Sequence, residues 1–282
     1  MRALLVLGLL LLGACSTARV VGDAPESPVA VERDRVFLHR GDVDLKADVY
    51  APTGAGPYPG VLLVHGGSWA RGNKGRMARI GERLARRGYV AVSIDYRLAP
   101  EHRFPAQLHD CQAAVRWMRA NATRLRLDPT RIGGFGYSAG AHLVALVATT
   151  DEGDGLDEML AFPGPDARLQ AAVLGAPPTD LRRFPAVPTF SRFLGATVSE
   201  RPDLYALASP VTFVTSDDPP MFLYHGADDW MVDVSQSQLM IDALERVHVP
   251  ASFYEGPGGH FATFLFDEEE VSHAIDFLDA WL

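Results

Sequence analysis

Gly136-Tyr137-Ser138-Ala139-Gly140 sets a single hydroxyl between two glycines. An apolar run, Arg131 to Phe135, leads into it, and an Ala-rich stretch, Ala139 to Ala148, leads out. Strand, G-x-S-x-G, helix is the setting of a nucleophile elbow. Glycines two residues either side remove the Cβ atoms that would clash in so tight a bend. The bend lifts the hydroxyl above a helix N-terminus, where amide dipoles favour developing negative charge.

A serine hydroxyl is a weak nucleophile at neutral pH; it needs a base, and the base needs a group to orient it. Of nine histidines, His260 stands out. It follows the flexible run Gly256-Pro257-Gly258-Gly259 and precedes Phe261, so its imidazole can swing back to the elbow. His102, His109, His248 and His273 fall in or beside helices. His142, four residues beyond Ser138 on the same helix, reads as structural and directed away from the elbow. The acid should lie on a loop after a strand, between serine and histidine. His225-Gly226-Ala227-Asp228-Asp229 follows the apolar Met221–Tyr224. Asp229 is favoured over Asp228 because it fits the pattern strand-His-Gly-x-x-Asp-x-x-Val, with Val232 as the valine. Oxyanion donors are expected from the Ala139 amide and from His65-Gly66-Gly67-Ser68-Trp69, the loop after Val61–Val64, with Gly66, Gly67 and Ser68 as its members. Trp69, Tyr137 and Phe261 flank these positions; they line a narrow acyl slot or simply pack.

These groups must be carried by alternating elements. Strands are expected at Arg35–His39 and Asp44–Tyr50, joined as a hairpin, then at Val61–Val64, Tyr89–Ile94, the elbow strand, Ala171–Leu174, Met221–Tyr224 and Ser252–Tyr254. Helices follow Met77, Ile80 and Leu84, then Leu108–Met118, the elbow helix, Ser235–Val247 and Glu269–Leu282. The alternation predicts an α/β fold with a doubly wound, mostly parallel sheet flanked by helices. Asp151–Arg168 reads as a surface loop. Residues 178–218 carry scattered aromatics (Phe184, Phe190, Phe193, Tyr205) and read as a small cap insertion over the carboxyl end of the sheet. The order oxyanion loop, Ser, Asp, His is that of the α/β-hydrolase fold.

The 282 residues, 48% hydrophobic and 22% charged, suit one large α/β domain over 31–282. Net charge is −9 with no basic patch, which argues against a nucleic-acid partner. Residues 1–14 read as a lipoprotein signal peptide: Met1-Arg2, an apolar Ala3–Leu12 too short to span a bilayer, and Leu12-Gly13-Ala14 before Cys15. Lipidation at Cys15 would give a membrane anchor. Ser16 matches outer-membrane sorting, so the expected place is the cell envelope, on the periplasmic side of the outer membrane; cleavage without lipidation would make the chain secreted. Residues 15–30 read as a tether. Cys111, the other of two cysteines, sits on an apolar stripe and reads as a buried thiol.

With those motifs in view, the chain from about Asp44 to Leu282 resembles α/β-hydrolase esterases of the hormone-sensitive-lipase-like and acetyl-esterase (kynurenine-formamidase-like) group. The resemblance rests on His65-Gly66-Gly67-Ser68-Trp69, on Asp95-Tyr96-Arg97-Leu98-Ala99-Pro100-Glu101-His102 with Phe104-Pro105, on the elbow, on Asp218-Pro219-Pro220, and on Gly259-His260-Phe261. It implies that Asp95–Pro105 is a structural loop bordering the site, with Asp95 and Glu101 pairing locally with Arg97 or a histidine. Ser68 replaces a third glycine of the lipase-like branch, and no helical cap precedes the sheet. Both point to the smaller acetyl-esterase-like branch and to the Gly67 and Ser68 amides as loop donors. The expected activity is serine-dependent hydrolysis of short-chain acyl esters, acetyl-type first, through an acyl-enzyme, without cofactor or metal. The partner is a small-molecule ester, and the oligomeric state is left open. An arylformamidase or other amide hydrolase would use the same triad; a surface-binding lipoprotein without activity is the alternative of another class.

Overall fold

The computed structural model describes residues 28–157, 166–184, 187–261 and 268–282. The expected signal peptide, Cys15 and most of the expected tether lie outside the described residues.

Eight strands form one sheet in the order β1-β2-β4-β3-β5-β6-β7-β8. They are β1 (Val29–Arg40), β2 (Val43–Pro52), β3 (Tyr58–Val64), β4 (Val90–Ile94), β5 (Leu127–Tyr137), β6 (Ala172–Gly175), β7 (Met221–Gly226) and β8 (Ala251–Gly256). The β1–β2 and β2–β4 pairs are antiparallel; every pair from β4–β3 to β7–β8 is parallel. Parallel strands need crossovers, and helices provide them: α1 (Ala78–Arg86), α2 (Ala106–Ala120), the single turn α3 (Ala122–Leu125), α4 (Ala139–Thr149), α5 (Pro188–Leu194), α6 (Pro202–Leu207), α7 (Ser235–Arg246) and α8 (Glu268–Trp281).

Why the sheet is wound on both faces is visible in β3. Leu62 and Val64 belong to the apolar layer beneath α2, α4 and α7, whereas Val61 and Leu63 belong to the layer beneath α1 and α8. All four are fully buried, so successive side chains point into opposite cores. Burial of each such side chain contributes roughly 1.5–3 kcal/mol.

β1 starts at Val29, six residues before the expected Arg35, because Val29 and Ala30 pair with Pro52 and Ala51. The last two residues of the expected tether are therefore strand. The expected cap segment contains α5, α6 and single turns at Leu181–Arg183 and Pro210–Thr212; residues 185–186 lie outside the described residues. Phe190, Phe193 and Tyr205 are buried, and Phe193 stacks on Trp69 with ring centroids 4.3 Å apart. In the expected Asp151–Arg168 loop, Glu152–Asp154 forms one 3-10 turn and 158–165 are not described. Cys111 is buried on α2, and burial pushes its thiol well up.

The pairing expected within Asp95–Pro105 is corrected. The Arg97 guanidinium donates to Asp110 of α2 from Nε and Nη2 at 2.8–3.1 Å, and the Arg97 amide donates to the same carboxylate at 2.9 Å. Asp110 is fully buried and needs these donors. Asp95 instead accepts from the Lys74 amide at 2.8 Å.

Candidate active site

Ser138 lies between the end of β5 and the start of α4, with φ 54° and ψ −123°. A non-glycine residue holds such a conformation only where its surroundings enforce it. They do so here. The Ser138 amide donates to Gly175 O at 2.7 Å, and the Ser138 carbonyl accepts from His142 N at 3.0 Å. A Cβ on Gly136 would lie 2.4 Å from Gly140 O, and one on Gly140 would lie 2.0 Å from Val64 O. Both glycines are thus required by backbone approach.

Three side chains from three loops meet above the sheet. His260 Nε2 is 2.9 Å from Ser138 Oγ. His260 Nδ1 is 2.6 Å from Asp229 Oδ2. Since a carboxylate only accepts, the proton sits on Nδ1, leaving Nε2 to accept from the serine. Asp229 is buried and Asp228 exposed, so the structure brings Asp229 and not its neighbour to the imidazole. Tyr137 OH donates to the His260 carbonyl, tying the histidine loop to the elbow.

The Asp229 carboxylate has four donors. Oδ1 accepts the amides of Met231 and Val232, each at 2.9 Å. Oδ2 accepts His260 and also His225 Nε2 at 3.1 Å. His225 Nε2 faces the Val232 carbonyl at 2.8 Å as well, so it must carry the proton, and Nδ1 accepts from Ser237 Oγ at 2.8 Å. Burial alone would raise the Asp229 pKa; the bonds from His225, His260 and Val232 outweigh it and hold the carboxyl far below its usual range. It therefore stays ionised. His225 and Ser237 were given no role from the sequence. The signal was there: the strand-His-Gly-x-x-Asp pattern contains the histidine.

The loop after β3, where the donors are expected, runs beside the nucleophile. A Cβ on Gly66 would sit 2.8 Å from Tyr137 O and 3.1 Å from Ser138 Cβ, so its bare backbone lies against the nucleophile. Gly67 has φ 139°, and a Cβ there would meet Arg71 O at 1.9 Å. Ser68 and Trp69 both have positive φ, 56° and 57°. The Gly67 carbonyl accepts from Ala70 and Arg71, at 3.1 and 3.0 Å. Among the described residues no acceptor takes the Gly67 or Ser68 amide. The Ala139 amide belongs to the first turn of α4, where helix geometry leaves amides free. His65 braces the loop from behind: its Nδ1 donates to Gly66 O at 2.9 Å, its carbonyl accepts Tyr96 OH at 2.9 Å, and its ring stacks on Tyr96. Burial takes the His65 pKa down to about 4.

His142 is structural, though it does not simply turn away. Its Nδ1 accepts Trp69 Nε1 at 3.1 Å and its Nε2 donates to Ala208 O at 2.7 Å, joining α4 to the oxyanion loop and to the cap segment. Two cavities meet at Ser138 and His260. One, of about 810 Å³, runs along α5 beside Trp69, Phe184 and Phe190. The other, of about 440 Å³, holds Gly66, Gly67, Tyr137 and Phe261. Trp69 borders the first and Tyr137 and Phe261 the second, so these three do not form one narrow slot. Among the described residues no three His, Cys, Asp or Glu side chains converge to hold a metal.

This geometry can be set beside known proteins. Residues 47–244, more than half of the chain, match the BD-FAE family. The chain belongs to that family. Esterase LipC of Mycobacterium tuberculosis (strain ATCC 25618 / H37Rv) is 34% identical over 231 residues, which cover 78% of this chain and 57% of the relative. The probable carboxylic ester hydrolase LipM of the same organism is 31% identical, over 80% of this chain and 54% of the relative. This BD-FAE chain thus spans little more than half the length of those relatives. A truncated form of a carbohydrate esterase from gut microbiota superposes with a TM-score of 0.79 at 27% identity, over 92% of this chain and 98% of the other. Esterase 2 of Thermogutta terrifontis, phosphonylated by sarin, superposes with a TM-score of 0.77 at 25% identity, over 91% and 96%. The shared architecture is the α/β-hydrolase fold.

Proposed function

We propose that the chain is a serine hydrolase of carboxylic esters. The observation that carries this is the unbroken run of hydrogen bonds from Asp229 through His260 to Ser138, ending where two cavities meet. Ser138 attacks the ester carbonyl while His260 Nε2 takes its proton and returns it to the leaving alcohol. Asp229 holds the imidazole in the required tautomer and offsets the charge that forms. The amides of Ala139, Gly67 and Ser68 receive the oxyanion, with Gly66 leaving room beside them. Water then repeats the sequence on the acyl-enzyme. Membership of the BD-FAE family and the esterase names of the relatives support this reading.

We take the acyl group to be short and the alcohol to be bulky, an acetylated sugar first. The larger cavity, walled by Trp69, Phe184 and Phe190, suits the faces of a sugar ring, and one structural relative is a carbohydrate esterase. Ser138→Ala should lower turnover of 4-nitrophenyl acetate by roughly 10⁴-fold or more. Turnover near that of the parent would overturn the assignment. An acetyl-to-octanoyl series tests the acyl length, and equal kcat/KM throughout would refute the short-chain reading.

We also propose that Cys15 carries a lipid which holds the domain at the envelope. Its support is the Leu12-Gly13-Ala14-Cys15 sequence after an apolar run. Cys15→Ser should move the protein from the membrane fraction to the soluble fraction; retention in membranes would refute it.

A further inference from the structure

The two cavities that meet at Ser138 differ in charge. In the larger, Arg183 and Asp233 have opposite signs, and Arg183 Nε already donates to Asp180 at 3.3 Å. In the smaller, Arg71 and Arg76 are the lining cations, and among the described residues no carboxylate lines it. The loop that supplies them also contains Lys74. That lysine is paired, with Asp34 at 2.9 Å and Asp48 at 3.1 Å. Arg71 and Arg76 are exposed and have no carboxylate partner among the described residues. The chain carries 35 acidic residues against 26 basic ones, so partners for two arginines are not scarce. Among the described residues nothing neutralises these two, and they line the cavity that Gly66, Gly67, Ser138 and His260 also line. The Arg76 charge also reaches inward: after burial, it adds to what lowers the His65 pKa.

Arginine presents a planar fork of donors that matches carboxylate and phosphate oxygens. Two such forks lining one cavity, with no carboxylate among its described lining residues, suit an anion. We propose that the smaller cavity binds an anionic portion of the ester, a carboxylate in the first instance, through Arg71 and Arg76 while the carbonyl lies on Ser138. This rests on the esterase reading above and adds to it the charge of the substrate.

Two matched pairs of esters test the proposal. The acetate esters of 4-hydroxybenzoate and 4-hydroxybenzamide differ by a charge on the alcohol. The 4-nitrophenyl monoesters of terephthalic acid and terephthalamic acid differ by a charge on the acyl group. Each pair is compared as a ratio of kcat/KM, charged over neutral, with active sites counted by fluorophosphonate labelling. One pair should show a ratio of roughly tenfold at low salt, and which pair does so tells which half of the ester enters. The ratio should fall as salt is raised. It should fall towards one in Arg71→Gln/Arg76→Gln and persist in Arg71→Lys/Arg76→Lys. Ratios near one for both pairs in the parent protein, or a ratio that survives the glutamine variants, would sink the proposal and leave the esterase reading standing. Absence of turnover on all four esters together with absence of labelling would overturn both.

Discussion

The Asp229 carboxylate shows how much of the proposed catalytic constellation is fixed by groups at a distance from Ser138. Its four donors come from the Met231 and Val232 amides and from two histidines. His225 differs from His260 in being fully buried and locked by Ser237 and Val232 O. We expect it to act as a positioning residue that keeps Oδ2 in place for His260. His225→Leu removes that donor while preserving much of the volume. We expect kcat for ester hydrolysis to fall roughly tenfold to a hundredfold with KM little changed, the range typical of such supporting bonds. Steady-state kinetics decide the matter, and a kcat within twofold of the parent would show that His225 only packs. The sequence carried Ser138, Asp229 and His260 because each stands in a backbone setting with its own signature: an elbow, a strand end and a glycine loop. It did not carry the roles of His225 and Ser237, because a buried histidine serving a carboxylate and one filling a core have the same local pattern. Nor did it separate the two cavities, which depend on where Phe184 and Phe190 fold back.

At the scale of elements, the elbow works because β3, β5 and α4 approach one another without side chains between them. Val64 pairs with Gly136 in the β3–β5 ladder, and Gly140 brings the first turn of α4 onto the Val64 carbonyl. Gly140→Ala would insert a Cβ 2.0 Å from Val64 O and 2.6 Å from His65 O. Backbone cannot yield as a side chain can, so β3 and α4 must part. We expect a loss of stability of about 1–3 kcal/mol and a loss of activity out of proportion to it, as the serine shifts from His260. Gly153→Ala is the matched control, since nothing lies within 4 Å of its Cβ. Urea midpoints and turnover measured on both variants settle it; an unchanged midpoint and turnover in Gly140→Ala would refute the account. The alternation of elements was legible because strands buried on both faces read as continuous apolar runs. α5 and α6 were not, being only 7 and 6 residues long, too short for a helical period to declare itself. Pro188 and Pro202 at their first turns were the available cue. The start of β1 was hidden for another reason: Ala30 to Arg35 is exposed edge strand, bulged where Asp34 takes φ 55°, and it shows no apolar alternation.

For the whole molecule the buried titratable groups set an acid limit to stability. His65 and His142 are held near pKa 4, each by burial, against an ordinary 6.5. Between those values the unfolded chain binds protons that the folded chain does not, so stability falls as pH falls. Each shift corresponds to about 3 kcal/mol. Asp218 works the other way. Burial raises it to about 6 from 3.8, so between those values the folded chain binds the extra proton and gains about 3 kcal/mol as pH falls. Two histidines against Asp218 leave a net loss of about 3 kcal/mol between roughly pH 6.5 and 4, and Asp95, which burial also raises, makes it smaller. Asp229 adds nothing in that window; its contribution is present above about 3.8 and is lost only below it. That net loss is a large part of the 5–15 kcal/mol typical of a folded domain. Urea midpoints measured from pH 7.5 to 4 should therefore decline most steeply below pH 6.5. Asp218→Asn should steepen the decline, because it removes the opposing group. A midpoint that stays level to pH 4.5 in the parent would show that the two imidazoles acquire their protons without unfolding the core around them, and an Asp218→Asn profile that runs parallel to the parent's would show that Asp218 does not oppose them.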